Sequence, residues 1–220
     1  MTRKCGMAAM FLAAVFTVVM ARNHMKLPNV IERVRPSVVL VEIYGNYSKL
    51  GTGSGVILDN GVILTARHVI SKAARVVVVL DDGSRVASDE LFTSCDMSSV
   101  DVGLIIVDPN ISDSHASLSP NWRGTVGESV FAIGGPLGRH NTVAVGIISA
   151  HNRIRKDESF TQLDINGAPG SSGGPVFNRF GGVIGIVVRG SSYGMMYIVP
   201  ADACEAVVGV YENVQRTQIK

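Results

Sequence analysis

Three short stretches of this chain hold residue types that together can turn a hydroxyl into a nucleophile for a carbonyl carbon. Gly170-Ser171-Ser172-Gly173-Gly174-Pro175 sets serine between glycines, whose backbone freedom allows a sharp turn at low steric cost. Amide N–H groups of Gly170 and Ser172 in such a turn can converge on the oxygen of an attacked carbonyl, where each donor contributes roughly 2.7–4 kcal/mol of transition-state stabilisation. An inert glycine-rich turn is the competing reading, and the hexamer alone does not separate the two.

A serine hydroxyl is a weak nucleophile at neutral pH and needs a base whose pKa lies near seven. Of the five histidines, His24, His115, His140 and His151 fall in N-terminal or polar contexts. His68 alone directly follows a strand-like run, in Leu64-Thr65-Ala66-Arg67-His68-Val69-Ile70, where a short helical turn would hold the imidazole over a sheet edge. A third group must fix the ring tautomer. Asp101 heads the apolar run Val102 to Val107 and so places a carboxylate at a strand start beside the core; the rival, Asp96, is separated from that strand by Ser98-Ser99-Val100.

The elements that must position these groups read as short strands. In the first half they are Val38–Ile43, Val56–Leu58, Val62–Thr65, Arg75–Leu80, Arg85–Ala87 and Val102–Val107, with Asn60-Gly61 and Asp82-Gly83 supplying the positive φ values that tight hairpins need. The second half offers Ser129–Ile133, Thr142–Ala150, Phe160–Ile165, Pro175–Phe177, Val183–Val188 and Met195–Val199. Six strands per half, with glycine turns, predict an all-β fold of two six-stranded antiparallel β-barrels, because closure removes exposed edges. The expected limits are 36–109 for the first barrel, 110–121 for a polar crossing, 122–200 for the second barrel and 201–213 for a C-terminal helix, whose apolar residues Ala201, Cys204, Val207, Val208 and Tyr211 recur at helical spacing.

Composition agrees with that class: 46% apolar, 17% charged and 24 glycines suit many turns between short strands. The net charge of +2 gives no electrostatic reason for nucleic-acid binding. Met1-Thr2-Arg3-Lys4 followed by an uncharged run from Cys5 to Ala21 reads as a targeting segment over 1–21. It is either a leader cleaved after Ala21 or a retained membrane anchor through residues 5–21, and both place the globular part outside the cytoplasm, in a periplasmic or extracellular setting. Cys95 and Cys204 would then remain, paired or free, and neither has a histidine at metal-ligand spacing.

Thr65-Ala66-Arg67-His68, Asp101-Val102-Gly103-Leu104 and Gly170-Ser171-Ser172-Gly173-Gly174-Pro175, in that order, resemble the trypsin-like serine proteases of the HtrA (Deg) type. Gly51-Thr-Gly-Ser-Gly55, Ala132-Ile-Gly-Gly-Pro-Leu-Gly138, Gly146-Ile-Ile-Ser-Ala150 and Gln162-Leu-Asp164 resemble further landmarks of that family, so that the likeness covers most of 36–208. The resemblance implies a chymotrypsin-like fold and a serine endopeptidase with Ser172, the serine followed by Gly-Gly-Pro, as nucleophile. It further implies His68 as general base, Asp101 as its orienting carboxylate and the 170–172 loop (Gly170, Ser171, Ser172) as oxyanion hole, with polypeptide substrates and neither metal nor organic cofactor. Ser171 stands where the family has asparagine.

By the same resemblance the substrate pocket is walled by Asn166, Gly167, Val187, Val188 and Arg189 and closed by Gly194 to Tyr197. No aspartate lies at its base, so the expected P1 residues are small or medium and uncharged. The residues after Ser172 suffice for the last strands and a helix, and a PDZ domain is not expected. The segment between Tyr44 and Gly51 is shorter than the loop by which HtrA proteases often reach neighbouring subunits, which leaves the oligomeric state open. Two other classes compete: an idle binding module that keeps the barrels without the chemistry, and an esterase, which is disfavoured because no Gly-x-Ser-x-Gly elbow stands between a strand and a helix, Pro175-Val176-Phe177 continuing as strand instead.

Overall fold

The computed structural model describes residues 26–93, 100–155, 158–190 and 194–218. Its first sheet is built from β1 (Val38–Tyr44), β2 (Lys49–Ile57), β3 (Val62–Thr65), β4 (Arg75–Val79), β5 (Arg85–Ser88), β6 (Leu91–Phe92) and β7 (Gly103–Ile106), with α1 (Leu27–Val34) before it and the single-turn α2 (Arg67–Ile70) after β3. The second comprises β8 (Ser129–Gly134), β9 (Thr142–Arg155), β10 (Glu158–Leu163), β11 (Pro175–Asn178), β12 (Val183–Gly190) and β13 (Met196–Pro200), followed by α3 (Ala201–Gln218). Every pairing between these strands is antiparallel. The first sheet runs β5-β4-β1-β2-β3-β7-β6, and the second closes as the six-stranded barrel β10-β13-β12-β11-β8-β9.

The all-β architecture with two barrel-like sheets and a C-terminal helix is the expected one, with one strand more in the first sheet. That extra strand, Leu91–Phe92, is a two-residue ladder against Ile105 and Leu104, too short to carry a period of its own. The β2–β3 hairpin turns through Asn60 and Gly61 at φ +61° and +72°, closed by Leu58 N–H donating to the Val62 carbonyl at 2.8 Å. The expected strand start at Val56 was too late. β2 runs from Lys49 through Gly53 and Gly55, because those glycines face close neighbours: a Cβ at Gly53 would stand 2.6 Å from Val69 Cγ1, and one at Gly55 2.8 Å from Ile63 Cγ2.

Two apolar clusters form the core. One spans both sheets, from Val39, Ile63, Leu64 and Leu104 to Phe131, Phe160 and Val199, and includes the stacked pair Phe131–Phe177 with centroids 5.2 Å apart. The other fills the closed barrel with Ile148, Leu163, Ile184, Val187, Met196 and Ile198. The helix α3 buries Cys204 and Val207 and lays Tyr211 edge-on against Phe92 of β6, running five residues past its expected end. Burial pushes the Cys204 thiol up, so that it stays protonated and inert. Cys95 and the segment 1–21, expected to be a targeting segment, lie outside the described residues. Among the described residues no helix is long and apolar enough to cross a membrane.

Glu42 is the buried charge of the first sheet, 8% exposed. It accepts from Lys49 Nζ at 2.8 Å and Tyr44 Oη at 3.0 Å and also from Arg85. These bonds, that from Lys49 foremost, outweigh desolvation and hold its carboxyl at about 2 against an ordinary 4.5. With the solvent screening of the Lys49 and Arg85 ends discounted, Glu42→Gln is expected to lower unfolding free energy by about 1–2 kcal/mol at neutral pH. Because the folded-state pKa lies below the unfolded one, that contribution is complete above pH 4.5 and fades as the pH falls toward 2. Urea titrations of the two proteins should therefore separate at neutral pH and converge near pH 2, and equal curves at neutral pH would refute the assignment.

Candidate active site

Pairing of β3 with β7 in the register Thr65↔Gly103 brings two chain segments, each just outside the ladder, side by side: α2 after Thr65, and Asp101 two residues before Gly103. Gly103 permits this, since a Cβ there would lie 2.8 Å from Ile70 Cδ1 and 3.2 Å from Arg67 Cα. The Val-Gly that follows Asp101 thus lets the short helix lie flat on β7. Asp101 then grips His68 at two points: its Oδ1 accepts the His68 backbone N–H at 2.9 Å, and its Oδ2 stands 2.7 Å from the ring Nδ1. Burial alone would raise the Asp101 carboxyl, but the two bonds from His68 win and hold it below its ordinary value. An ionised Asp101 accepts from Nδ1–H, which leaves Nε2 as the ring nitrogen free to take a proton. The imidazole is about half exposed and the carboxylate nearly covered.

The 164–174 loop is held from three sides. Gly170 and Gly173 adopt φ of +98° and +84°, and a side chain at Gly173 would meet the Ser54 carbonyl and Thr65 Oγ1 at 2.2 Å. Gly173 N–H donates to the Val187 carbonyl at 2.7 Å, and Val187 N–H returns a bond to Gly174 at 2.9 Å. Ser54 N–H donates to the Ser172 carbonyl at 2.8 Å, and Leu137 N–H donates to the Pro169 carbonyl at 2.7 Å. Leu137 lies in a turn at φ +54°. His140, at 3.2 Å from the Val38 carbonyl, and Asn141, bonded to Asp81, tie that turn to the first sheet.

Of the three loop amides, Ser171 N–H is spent on the Ala168 carbonyl at 3.0 Å, so this residue gives the loop its spacing and no donor. Neither Gly170 N–H nor Ser172 N–H donates to any group among the described residues, and the Ser172 hydroxyl has no hydrogen bond there either. The structure thus shows no hydrogen bond between the His68 ring and the Ser172 hydroxyl; in unliganded enzymes the contact between a serine and its base is often long.

The expected pocket wall divides. Asn166, Ala168, Ser171, Val187 and Met196 line a cavity of about 150 Å³ behind the loop. Gly167 and Gly190 press against each other, a Cβ at Gly190 lying only 3.3 Å from Gly167 Cα. The Val188 side chain faces the other way and packs into the cluster between the sheets, as its place next to inward-facing Val187 on one strand requires. Arg189 lays its guanidinium over the Phe160 ring at 5.8 Å. Met196, read before only as part of the closing segment, reaches the pocket base with its methyl 3.4 Å from a Cβ at Gly167. Among the described residues no three His, Cys, Asp or Glu side chains gather as a metal site would need.

A family model described as trypsin-like peptidase domain matches residues 53–186. The chain belongs to that family. It is 36% identical over 168 residues to a putative serine protease, HhoA, of Synechocystis, a match covering 71% of this chain and 42% of the relative. It is 40% identical over 139 residues to a probable DegP-like periplasmic serine endoprotease of Pseudomonas fulva, covering 61% of this chain and 28% of that one. The crystal structure of a serine endoprotease from Yersinia pestis superposes with a TM-score of 0.74 at 29% identity, over 84% of this chain and 66% of that chain. The chain thus spans less than half the length of these curated relatives.

Proposed function

We propose that the chain is a serine endopeptidase in which Ser172 attacks the peptide carbonyl while His68 Nε2 takes its proton. Asp101 holds the imidazole tautomer and balances the imidazolium that forms. The amides of Gly170 and Ser172 receive the tetrahedral oxyanion; His68 then protonates the leaving amine, and water hydrolyses the acyl-enzyme by the same route in reverse. The observation that carries this reading is the two-point grip of Asp101 on His68. A structural aspartate would satisfy the helix N–H alone, whereas this one also commits Nδ1.

The test is a fluorophosphonate probe, which phosphonylates an activated serine: the folded protein should gain one adduct, on the peptide carrying Ser172. A folded protein that stays unlabelled would favour the idle binding module. Export is part of the proposal. It is supported by the basic start and apolar run of the first 21 residues and by DegP-like relatives described as periplasmic endoproteases.

Substrate preference follows from the pocket. With Gly167 and Gly190 in contact and Met196 beneath them, small uncharged P1 side chains are expected. Met196→Ala deepens the base and should raise kcat/KM for leucine-sized P1 residues, relative to alanine, by roughly tenfold, the scale of a methylene or two in an apolar pocket. A positional-scanning peptide library measures both, and strong selection of Arg or Lys at P1 would overturn the pocket assignment.

A further inference from the structure

Ser54 lies in the middle of β2, fully buried, in a stretch that the sequence offers only as serine among glycines. All four of its hydrogen-bonding groups are committed. Its N–H goes to the Ser172 carbonyl at 2.8 Å and its carbonyl accepts from Thr65 Oγ1 at 2.7 Å. Its hydroxyl donates to the Gly170 carbonyl at 2.7 Å and accepts from Gly135 N–H at 2.8 Å. A hydroxyl has one proton; since Gly135 arrives as a donor, that proton is directed to Gly170. The space is fitted to this one side chain: a Cβ at Gly134 would stand 3.0 Å from Ser54 Oγ, and one at Gly174 3.2 Å from Ser54 Cβ.

We infer that Ser54 is a positioning residue for the oxyanion hole, acting through the peptide planes on either side of Gly170. In a trans peptide the C=O and the following N–H point in opposite directions. The Pro169 carbonyl is fixed on Leu137 N–H, so Gly170 N–H points away from the turn, available to an oxyanion. The Gly170 carbonyl is fixed by the Ser54 hydroxyl, which sets the next plane. Gly170 carries no side chain and sits at φ +98°, a conformation that glycine enters and leaves at little cost. Without the hydroxyl the Gly170 carbonyl has no other partner among the described residues, and its plane is held only by Ser171 N–H on the Ala168 carbonyl. Gly135 N–H, in the turn whose Leu137 N–H fixes the Pro169 carbonyl, also loses its acceptor. The planes on both sides of Gly170 are then loosened, and its N–H can leave the hole. Because the same oxygen accepts from Gly135, Ser54 also joins the oxyanion loop to the turn that carries Leu137.

The inference rests on the proposed serine endopeptidase and is tested so that the two can fail separately. In Ser54→Ala, kcat should fall roughly 10- to 100-fold with KM changed less than about twofold. Affinity for a peptide aldehyde, whose Ser172 adduct carries the oxyanion, should fall in parallel, while affinity for the cleaved product peptide holds. Glu42→Gln, destabilised at a remote site, serves as the control with kcat unchanged. A crystal structure of Ser54→Ala should show the Gly170–Ser171 peptide turned. Unchanged kcat, an equal rise in KM, or an equal kcat loss in Glu42→Gln would each overturn the positioning role. Should the native protein neither take up a fluorophosphonate nor cleave peptides, the endopeptidase reading fails. The Gly170–Ser171 peptide in the variant crystal then decides on Ser54 alone, turned in support and unturned against.

Discussion

Replacing Ser172 with alanine is expected to lower kcat for peptide hydrolysis by about a million-fold, the scale seen when the nucleophile of such a triad is removed, while leaving the fold intact. Both halves of the expectation come from the same geometry. The backbone of residue 172 is structural: its carbonyl accepts from Ser54 N–H and the flanking glycines set the turn. The hydroxyl has no hydrogen bond among the described residues, so its removal breaks no contact on which the loop depends and should change stability by less than about 0.5 kcal/mol. Hydrolysis of a fluorogenic peptide, read beside a thermal melt, separates the outcomes. A residual rate within tenfold of the native protein would exclude Ser172 as the nucleophile, and a collapsed melt would mean the hydroxyl does more in the fold than its contacts indicate.

How much of this was legible in the sequence depended on how local each interaction is. The strands were readable because alternation and Asn-Gly or Asp-Gly turns are encoded within a few residues, and the meeting of His68 with Asp101 follows once β3 and β7 pair. The seventh strand of the first sheet, Leu91–Phe92, was not, since two residues cannot display a period. The helix α1, by contrast, was legible although the strand pattern drew the reading past it: Leu27, Val30, Ile31 and Val34 stand at i, i+3, i+4 and i+7 and all meet the core. Within the pocket, placing Val187 and Val188 on one wall ignored the alternation of a strand, which turns one into the barrel and the other into the cluster between the sheets.

What stayed hidden is mostly the work of close approaches between distant segments. Gly51-Thr-Gly-Ser-Gly55 reads as turn material because glycine and serine are common in turns, yet it is a strand whose bareness admits Val69, Ile63 and the Ser172 carbonyl. A side chain at Gly53 would push the helix carrying His68 away from the loop carrying Ser172. The glycines at 53, 103 and 173 therefore act as one device, letting the helix with His68, the strand after Asp101 and the loop with Ser172 pack closely, and no pattern in a single segment announces it. Ser54 was masked by the same neighbours. Its partners stand 81 and 116 residues away along the chain.

Asp101→Asn should cost about 10⁴-fold in kcat with little change in fold. An asparagine amide can rotate so that its oxygen still accepts the His68 backbone N–H in place of Oδ1. Its NH₂ then faces the ring nitrogen where Oδ2 stood at 2.7 Å, and a donor there requires Nδ1 to accept. The ring proton moves to Nε2, the nitrogen that must be empty to receive the serine proton, so the base is lost although no atom has moved far. In the native protein the carboxylate avoids this over a wide range, because the His68 bonds hold its pKa below the ordinary aspartate value against the pull of burial. The sign is that of a depressed acid: the pairing is complete above the unfolded-state pKa of about 4 and is lost only as the pH falls through the lower folded value. Native activity between pH 5 and 9 should then show no step from Asp101, and the asparagine variant should stay impaired across that interval. Recovery of the variant to within tenfold of native anywhere in it would mean that Asp101 does not set the tautomer.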